Sequence, residues 1–309
     1  MRLRPLRIAA LALLFPLVGC GSTTDDDGGR RETSPTSSGR QSAPAKAKAK
    51  AKEVPRPGDQ TVTMTWKGQE RVYTVHAPPG YTPSKPLPLV VVMHPYPADG
   101  AYAARLTGFD AKADEEGFLV AYPNGVNQGY NALVCCGSED DVGFIGAMTK
   151  RLVDTWKADP QRLYATGISN GADMSFRLAV ELPGTLAAIA PVSGGYIGTA
   201  AQNPAYVPKT PVSVATFVGG RDAYYEQFEQ GIKSWSARLG CRSGRPETVK
   251  GANTRTRATC RDTSEILTYR LPDMGHNWPG SKDPRMGEAA TGITATDLIW
   301  DFFDAHSKK

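Results

Sequence analysis

A single Gly-x-Ser-x-Gly pattern, Gly167-Ile168-Ser169-Asn170-Gly171, carries the residue best suited to nucleophilic chemistry. Residues 162–166 before it predict a short buried strand, and residues 172–182 after it have apolar side chains at helical spacing. A serine on such a strand-to-helix turn presents its hydroxyl at a helix N-terminus, where partial positive charge stabilises a developing oxyanion. The alternative is a chance match in a chain with 32 glycines. The strand-to-helix context favours Ser169 as a nucleophile that attacks an acyl carbonyl.

A serine nucleophile needs a base, and His276 is the candidate among the four histidines. It lies in a loop directly after the predicted strand 265–271, and parallel sheets place their chemistry in such loops. His76 falls in an early antiparallel strand, His94 directly follows a strand and suits a structural role, and His306 lies at the C-terminus.

The orienting acid should lie between the serine and the histidine in the chain. Asp222 meets this requirement, because it follows the predicted strand 212–218 through a short glycine-containing turn. Glu226 and Asp262 are rivals that do not follow a clear strand end, and capping of the next helix is the alternative role of Asp222. The spacings from Ser169 to Asp222 (53 residues) and from Asp222 to His276 (54 residues) leave room for one strand–helix unit each.

Residues 1–20 predict an export signal, with three arginines followed by an apolar run too short to remain a membrane span. The segment ends in Leu17-Val18-Gly19-Cys20, which resembles the lipobox of bacterial lipoproteins, with Cys20 as the lipidation site. An ordinary secretory peptide is the alternative. We expect an exported protein, held at the extracellular face of the cell membrane by lipid on Cys20 or released as a secreted protein.

Residues 21–58 predict a low-complexity tether, with an Asp run, small polar residues and an Ala-Lys repeat but almost no large apolar residues. The chain has a net charge of +5, of which the signal and the tether carry +3 each. Residues 59–309 therefore contain 25 basic and 26 acidic residues, a net charge of −1. This near-neutral charge gives no reason to expect nucleic-acid binding by the domain. We also expect the protein to be a monomer and to contact the membrane only through lipid on Cys20.

Residues 59–309 are long enough for one α/β domain with a mostly parallel central sheet and helices on both faces. The predicted strands are residues 61–66, 70–76, 89–93, 118–122, 162–166, 188–193, 212–218 and 265–271. The predicted helices are residues 109–116, 142–156, 172–182, 225–239 and 296–306.

Four blocks of sequence together resemble the polyhydroxybutyrate depolymerase and feruloyl esterase family of α/β-hydrolases. They are the elbow around Ser169, the stretch from Cys135-Cys136-Gly137 to Ile145, the run 118–125, and the Gly-His-x-Trp-Pro-Gly loop at residues 275–280. The resemblance covers nearly all of residues 60–306. It implies a serine esterase whose triad falls on Ser169, Asp222 and His276. An unassisted serine nucleophile needs no cofactor, and none is expected.

The oxyanion hole is where this chain departs from the family. One donor is expected to be the backbone N–H of Asn170, and the second comes from the loop after residues 89–93. The family has His-Gly there, whereas this chain has His94-Pro95, and proline has no N–H to donate. We therefore expect the N–H of Tyr96 to be the second donor. Trp278 and His94 are the expected residues of the substrate pocket.

The cysteines suit disulfides in an exported domain, because four remain if Cys20 carries lipid. Cys241 and Cys260 flank an Arg-rich loop and are expected to pair with each other. Cys135 and Cys136 then form a vicinal bridge, or each joins one member of the other pair. The Cys and His spacings resemble no metal site, and none is expected.

The sequence as a whole predicts an exported carboxylic-ester hydrolase that acts on a small or oligomeric ester. Two alternatives remain. One is an acyltransferase or peptidase with the same triad, and the other is an inactive hydrolase fold kept as a surface binding protein.

Overall fold

The computed structural model of the protein describes residues 54–308. The predicted signal peptide, the lipidation site Cys20 and the tether up to residue 53 lie outside the described residues. In the described range, no helix has the length and apolar character needed to cross a membrane.

The centre of the domain is a sheet whose middle strands run parallel. Over residues 54–308 the strands are β1 (Gly58–Trp66), β2 (Gln69–Ala77), β3 (Leu87–Met93), β4 (Leu119–Pro123), β5 (Ala158–Ile168), β6 (Ala188–Val192), β7 (Ser213–Gly219), β8 (Arg242–Ser243), β9 (Glu247–Lys250), β10 (Asn253–Thr259), β11 (Glu265–Leu271), β12 (Trp278–Pro279) and β13 (Gly287–Glu288). The sheet order is β1-β2-β4-β3-β5-β6-β7-β11-β10-β8, and β9 pairs with β10. The six middle strands of this path run parallel to one another, in the order β4, β3, β5, β6, β7 and β11. Antiparallel strands flank them on both sides.

Helices cover both faces of this sheet, which confirms the predicted fold class. They are α1 (Gly100–Thr107), α2 (Phe109–Glu116), α3 (Asp141–Trp156), α4 (Asn170–Glu181), α5 (Thr199–Gln202), α6 (Tyr225–Arg238) and α7 (Ala295–Asp304), with short 3-10 turns at Val126–Gln128 and Ala289–Thr291. Buried residues of α3, α4 and α6 share one apolar core, and those of α1, α2 and α7 share the other.

Strand β3 shows how the sheet separates the two cores. All seven of its residues are buried. Leu89, Val91 and Met93 belong to the core with α3 and α4, whereas Val90 and Val92 belong to the core with α1 and α2. Side chains alternate across a strand, so an unbroken apolar run is the pattern of a strand covered on both faces. The sequence predicts this strand correctly for that reason.

The sequence analysis missed α1 and the antiparallel strands β8–β10. Helix α1 begins with Gly100, which suggests a loop in sequence, yet a Cβ there would lie 2.8 Å from the backbone oxygen of Tyr122. The helix is started instead by Asp99, whose side chain accepts a hydrogen bond from the N–H of Tyr102 at 2.8 Å. Gly100 is required by close packing, and its presence made a capped helix look like a loop in the sequence.

A buried ion pair joins the N-terminal hairpin to α3. Arg71 of β2 and Asp141 of α3 are 2% and 1% exposed, and their side chains lie 2.5 Å apart. The second carboxylate oxygen of Asp141 accepts the N–H of Asn131 at 2.7 Å, and Arg71 also donates to the backbone oxygen of Asn124. The pair thereby fixes the segment between β4 and α3, which approaches the carboxyl end of β5.

Replacement of Asp141 by asparagine is expected to lower the free energy of unfolding by about 3–5 kcal/mol, because the Arg71 charge then stays buried without its counterion. Chemical denaturation would measure this change. The control is Asp154→Asn, which breaks an exposed pair with Lys150 and should cost less than about 1 kcal/mol. Equal, small effects of the two substitutions would show that the buried pair does not stabilise the fold.

Candidate active site

Ser169 occupies a strained turn between β5 and α4. Its backbone has φ 56° and ψ −119°, a conformation that residues other than glycine rarely adopt. A Cβ on Gly167 would lie 2.6 Å from the backbone oxygen of Met93. A Cβ on Gly171 would lie 2.7 Å from the backbone carbonyl carbon of the same Met93. Only glycine at these two positions lets the turn pass so close to β3.

Asp222 and His276 meet at the carboxyl ends of β7 and β11. The Nδ1 of His276 lies 2.7 Å from Oδ2 of Asp222. The Asp222 side chain is fully buried, whereas that of His276 is 31% exposed. A carboxylate can only accept here, so the imidazole donates from Nδ1, and in the neutral ring Nε2 is the nitrogen that carries the lone pair. The other carboxylate oxygen accepts the N–H of Tyr224 at 2.9 Å.

Backbone contacts place these two loops beside the end of β5. The N–H of Arg221 donates to the oxygen of Met274 at 2.9 Å, which joins the Asp222 loop to the His276 loop. The hydroxyl of Ser193, at the end of β6, donates to the oxygen of Asn277 at 3.1 Å. Because β6 lies directly beside β5, this bond fixes the histidine loop next to the Ser169 turn.

Among the hydrogen bonds of the described residues, none joins the Ser169 hydroxyl to the His276 ring. Such catalytic contacts are often long without substrate and tighten when it binds. Ser169, Asp222 and His276 thus all lie at the carboxyl ends of the parallel strands, and Asp222 is already hydrogen-bonded to His276.

The residue after the serine is anchored through its side chain. Asn170 begins α4, so its backbone N–H has no acceptor within the helix. Its side-chain amide donates to the oxygens of Tyr130 and Cys135 at 3.1 and 3.0 Å, and its Oδ1 accepts the N–H of Tyr130 at 2.8 Å. Three bonds from one side chain therefore hold the segment between β4 and α3 against the start of α4.

The segment after β3, which contains Tyr96, also lies against the Ser169 turn. A Cβ on Gly171 would lie 2.9 Å from the oxygen of His94, so this segment is packed against the elbow. The oxygen of Pro97 accepts a hydrogen bond from Arg285 at 2.8 Å. The Tyr96 side chain is 50% exposed.

Residues 71–207 match the family model described as Esterase PHB depolymerase. This part of the chain is therefore similar to esterase PHB depolymerase domains. The matched range includes Ser169 and ends before Asp222 and His276, which come from the remaining strand–helix units.

Two relatives extend the similarity over most of the chain. The putative esterase NocK of Nocardia uniformis subsp. tsuyamanensis is 28% identical over 279 residues, which cover 76% of this chain and 79% of NocK. Feruloyl esterase B of Piromyces equi is 25% identical over 238 residues, which cover 70% of this chain and 44% of that protein. The chain thus spans less than half the length of feruloyl esterase B.

A solved structure shares the fold. An acetyl xylan esterase from Aspergillus awamori superposes with a TM-score of 0.59 at 16% identity, covering 80% of this chain and 99% of that one. The similarity shows that the chain has an α/β-hydrolase fold.

The structure corrects the prediction that His94 lines the substrate pocket. His94 is fully buried, its Nδ1 donates to the oxygen of Pro95 at 2.8 Å, and its Nε2 accepts the N–H of Gly125 at 3.0 Å. Burial lowers the pKa of His94 and keeps the ring neutral, against the smaller effect of its bond to Pro95. The ring therefore braces the loop after β3 and has no surface for a substrate.

The expectation for Trp278 is wrong in the same way. Trp278 is 1% exposed, its ring lies edge-to-face with Phe109 at 6.3 Å, and its indole N–H donates to Thr296 at 3.1 Å. It belongs to the core under α2 and α7. The loop that carries His276 turns inward within two residues, and sequence position alone does not reveal that turn.

Asp173 is a residue near the site that the sequence analysis missed. It lies one helical turn after Ser169, is 7% exposed, and accepts the N–H of Gly195 at 2.8 Å. Burial raises the pKa of Asp173 to about 7, against the lowering effects of that bond and of nearby His276. The sequence could have indicated Asp173 by its spacing, because a residue four positions after Ser169 lies on the same face of the helix.

The disulfides follow one of the two predicted schemes. Cys241 is bonded to Cys260 as expected, and Cys135 to Cys136 as a vicinal pair. The crossed arrangement is therefore wrong. The vicinal pair lies in the segment that Asn170 anchors.

One group in the described residues is compact enough to hold a metal ion. Ligand atoms of Asp59, His76 and Asp110 lie within 4.8 Å of one another. Both ring nitrogens of His76 already contact carboxylates, Asp59 at 2.6 Å and Asp114 at 3.0 Å. Burial opposes the charge, but these carboxylates outweigh it and raise the pKa of His76. An imidazolium held by carboxylates accounts for the group, which connects β1, β2 and α2.

Replacement of Asp173 by asparagine is expected to stabilise the domain at alkaline pH. A carboxyl whose pKa rises from 3.8 to about 7 on folding destabilises the folded state wherever it is ionised. The free energy of unfolding of the variant should exceed that of the wild type at pH 8 by up to about 4 kcal/mol. The difference should shrink as the pH falls through 7 and disappear near pH 4.

Denaturation at several pH values would measure this difference. Asparagine can still accept the N–H of Gly195, so the substitution removes the charge and keeps the hydrogen bond. The exposed carboxylate Asp154 provides the control, and its replacement by asparagine should show no such trend. A difference that does not change with pH would contradict the burial of an ionisable Asp173.

Proposed function

We propose that this protein is an exported carboxylic-ester hydrolase in which Ser169, His276 and Asp222 form the catalytic triad. The observation that carries the proposal is the hydrogen bond between buried Asp222 and His276 beside the strained Ser169 turn. A buried carboxylate fixes the imidazole tautomer and stabilises its positive charge, which is what general-base activation of a serine requires.

The proposed reaction has two halves. His276 Nε2 takes the proton of the Ser169 hydroxyl while Oγ bonds to the acyl carbon, and the carbonyl oxygen becomes an oxyanion. The intermediate collapses as the bond to the alcohol oxygen breaks, and His276 returns the proton to that oxygen. Water then repeats the sequence on the acyl-enzyme, which releases the acid and restores Ser169.

The oxyanion hole is proposed to consist of the backbone N–H groups of Asn170 and Tyr96. Asn170 has the free N–H of a first helical residue, and three side-chain bonds hold it in place. Pro95 removes one donor from the loop after β3, but His94 ties that loop to Gly125, and Arg285 donates to the oxygen of Pro97. Tyr96 is the next residue with an N–H to give.

Location and substrate are also part of the proposal. The segment ending in Cys20 supports export, with a lipid anchor on that cysteine. The names of the family and of the relatives favour acyl esters of the hydroxyalkanoate, feruloyl or acetyl type. Replacement of Cys20 by serine should move the protein from the membrane fraction to the medium.

The Ser169→Ala variant is expected to lower kcat/KM for a p-nitrophenyl ester of a short acid by at least about 10⁴-fold, because the triad acts as one unit. The hydrolysis rate is followed by p-nitrophenolate release. Ser243→Ala serves as a matched control, since Ser243 is exposed on β8 at the far edge of the sheet.

Equal rates for the wild type and Ser169→Ala would overturn the proposed triad. Folded wild-type protein that fails to turn over any ester would instead favour a hydrolase fold kept for binding.

A further inference from the structure

Large exposed apolar side chains gather on the loops around Ser169. In residues 54–308 they are Val54, Tyr96, Val134 and Tyr224, each at least 50% exposed. Single exposed apolar residues are ordinary on protein surfaces, whereas their concentration around a site indicates binding. Three of these four side chains belong to the loops that carry or contact the proposed catalytic residues.

On one side of Ser169, Tyr96 lies beside the vicinal disulfide, and Val134 precedes that disulfide in the chain. A Cβ on Gly129 would lie 2.7 Å from the Tyr96 ring and 3.1 Å from Cβ of Cys136, so both side chains lie against that glycine. Val134 is the next residue to the exposed Cys135, whose oxygen accepts from Asn170. We call Tyr96, Val134 and the Cys135–Cys136 pair the acyl-side strip.

On the other side, Tyr224 lies next to the base. Its N–H donates to Asp222, and its ring centroid is 6.1 Å from that of His276, at an interplanar angle of 66°. The ring also lies 6.1 Å from Phe228, which is buried. Tyr224 is therefore held beside the imidazole while half of its surface faces solvent.

The two apolar surfaces flank Ser169. The strands β3, β5, β6 and β7 are neighbours in the sheet, so Tyr96 and Tyr224 follow strand ends three spacings apart, about 14 Å. A small ester is shorter than this spacing, so it would touch only one of the two apolar surfaces.

The chemistry assigns each surface to one arm of the ester. The alcohol oxygen must lie within hydrogen-bond reach of His276 to receive its proton, so the alcohol arm starts beside Tyr224. The carbonyl oxygen points to the N–H of Asn170, and the acyl arm extends away from His276 toward the loops that Asn170 anchors.

We propose that Tyr224 and the acyl-side strip select esters with apolar groups on both sides of the scissile bond, Tyr224 contacting the alcohol arm and Val134 the acyl arm. This inference rests on the proposed function. It distinguishes the preferred substrate from an acid esterified to a sugar, whose alcohol arm is polar.

The experiment uses four esters that combine two acids with two alcohols: ethyl acetate, ethyl hexanoate, 2-naphthyl acetate and 2-naphthyl hexanoate. Acid release is followed by pH-stat for the wild type, Tyr224→Ala, Tyr224→Phe and Val134→Thr. The readouts are the naphthyl/ethyl and hexanoate/acetate ratios of kcat/KM.

Tyr224→Ala should lower the naphthyl/ethyl ratio about three- to tenfold and leave the hexanoate/acetate ratio within twofold, because only the alcohol arm loses an aromatic contact. Tyr224→Phe keeps the ring and should behave as the wild type. Val134→Thr should lower the hexanoate/acetate ratio about three- to fivefold, and the matched surface change Val54→Thr should lower neither ratio.

Two outcomes separate this inference from the proposed function. In the first outcome, ester turnover depends on Ser169 but both ratios are unchanged in Tyr224→Ala and Val134→Thr. This result would overturn the proposed selection for apolar groups and leave the proposed function standing. Absence of Ser169-dependent turnover with every ester would overturn the proposed function, and this inference with it.

Discussion

The geometry of the candidate site depends on the close approach of the Ser169 turn to β3. Gly167 and Gly171 press against the backbone of Met93, and no side chain fits at either position. The contact holds Ser169 in a positive-φ conformation that the isolated chain would avoid. It also presses the loop that contains Tyr96 against the start of α4. One steric constraint therefore positions Ser169, the proposed nucleophile, and the two segments that contain the proposed oxyanion donors.

A chain of polar contacts extends this constraint to the far side of the domain. Asn170 holds the segment with Tyr130 and Cys135, and Asn131 in the same segment donates to Asp141. Asp141 in turn pairs with Arg71 on the N-terminal hairpin. The hairpin thus supports a loop at the site although it contributes no side chain to it, and buried partners of this kind are costly to separate.

The sequence was sufficient for the parallel strands and for the pairing of Asp222 with His276. Short continuous apolar runs such as β3 are typical of strands covered on both faces, and an acid and a base that follow neighbouring parallel strands come to the same end of the sheet. Sequence position could not show the direction in which a side chain leaves its loop. His94 directly follows β3 and Trp278 lies in the segment after β11, as a pocket residue would, yet both side chains are buried in the interior.

The central claim is that Ser169 is the nucleophile, and active-site labelling with a fluorophosphonate tests it most directly. Trypsin should release residues 163–177 as one peptide, and tandem mass spectrometry distinguishes Ser169 from Ser175 within it. The account predicts one phosphonate on Ser169, and a much slower reaction after His276→Ala. Folded protein that is unlabelled, or labelled on another serine, would contradict it.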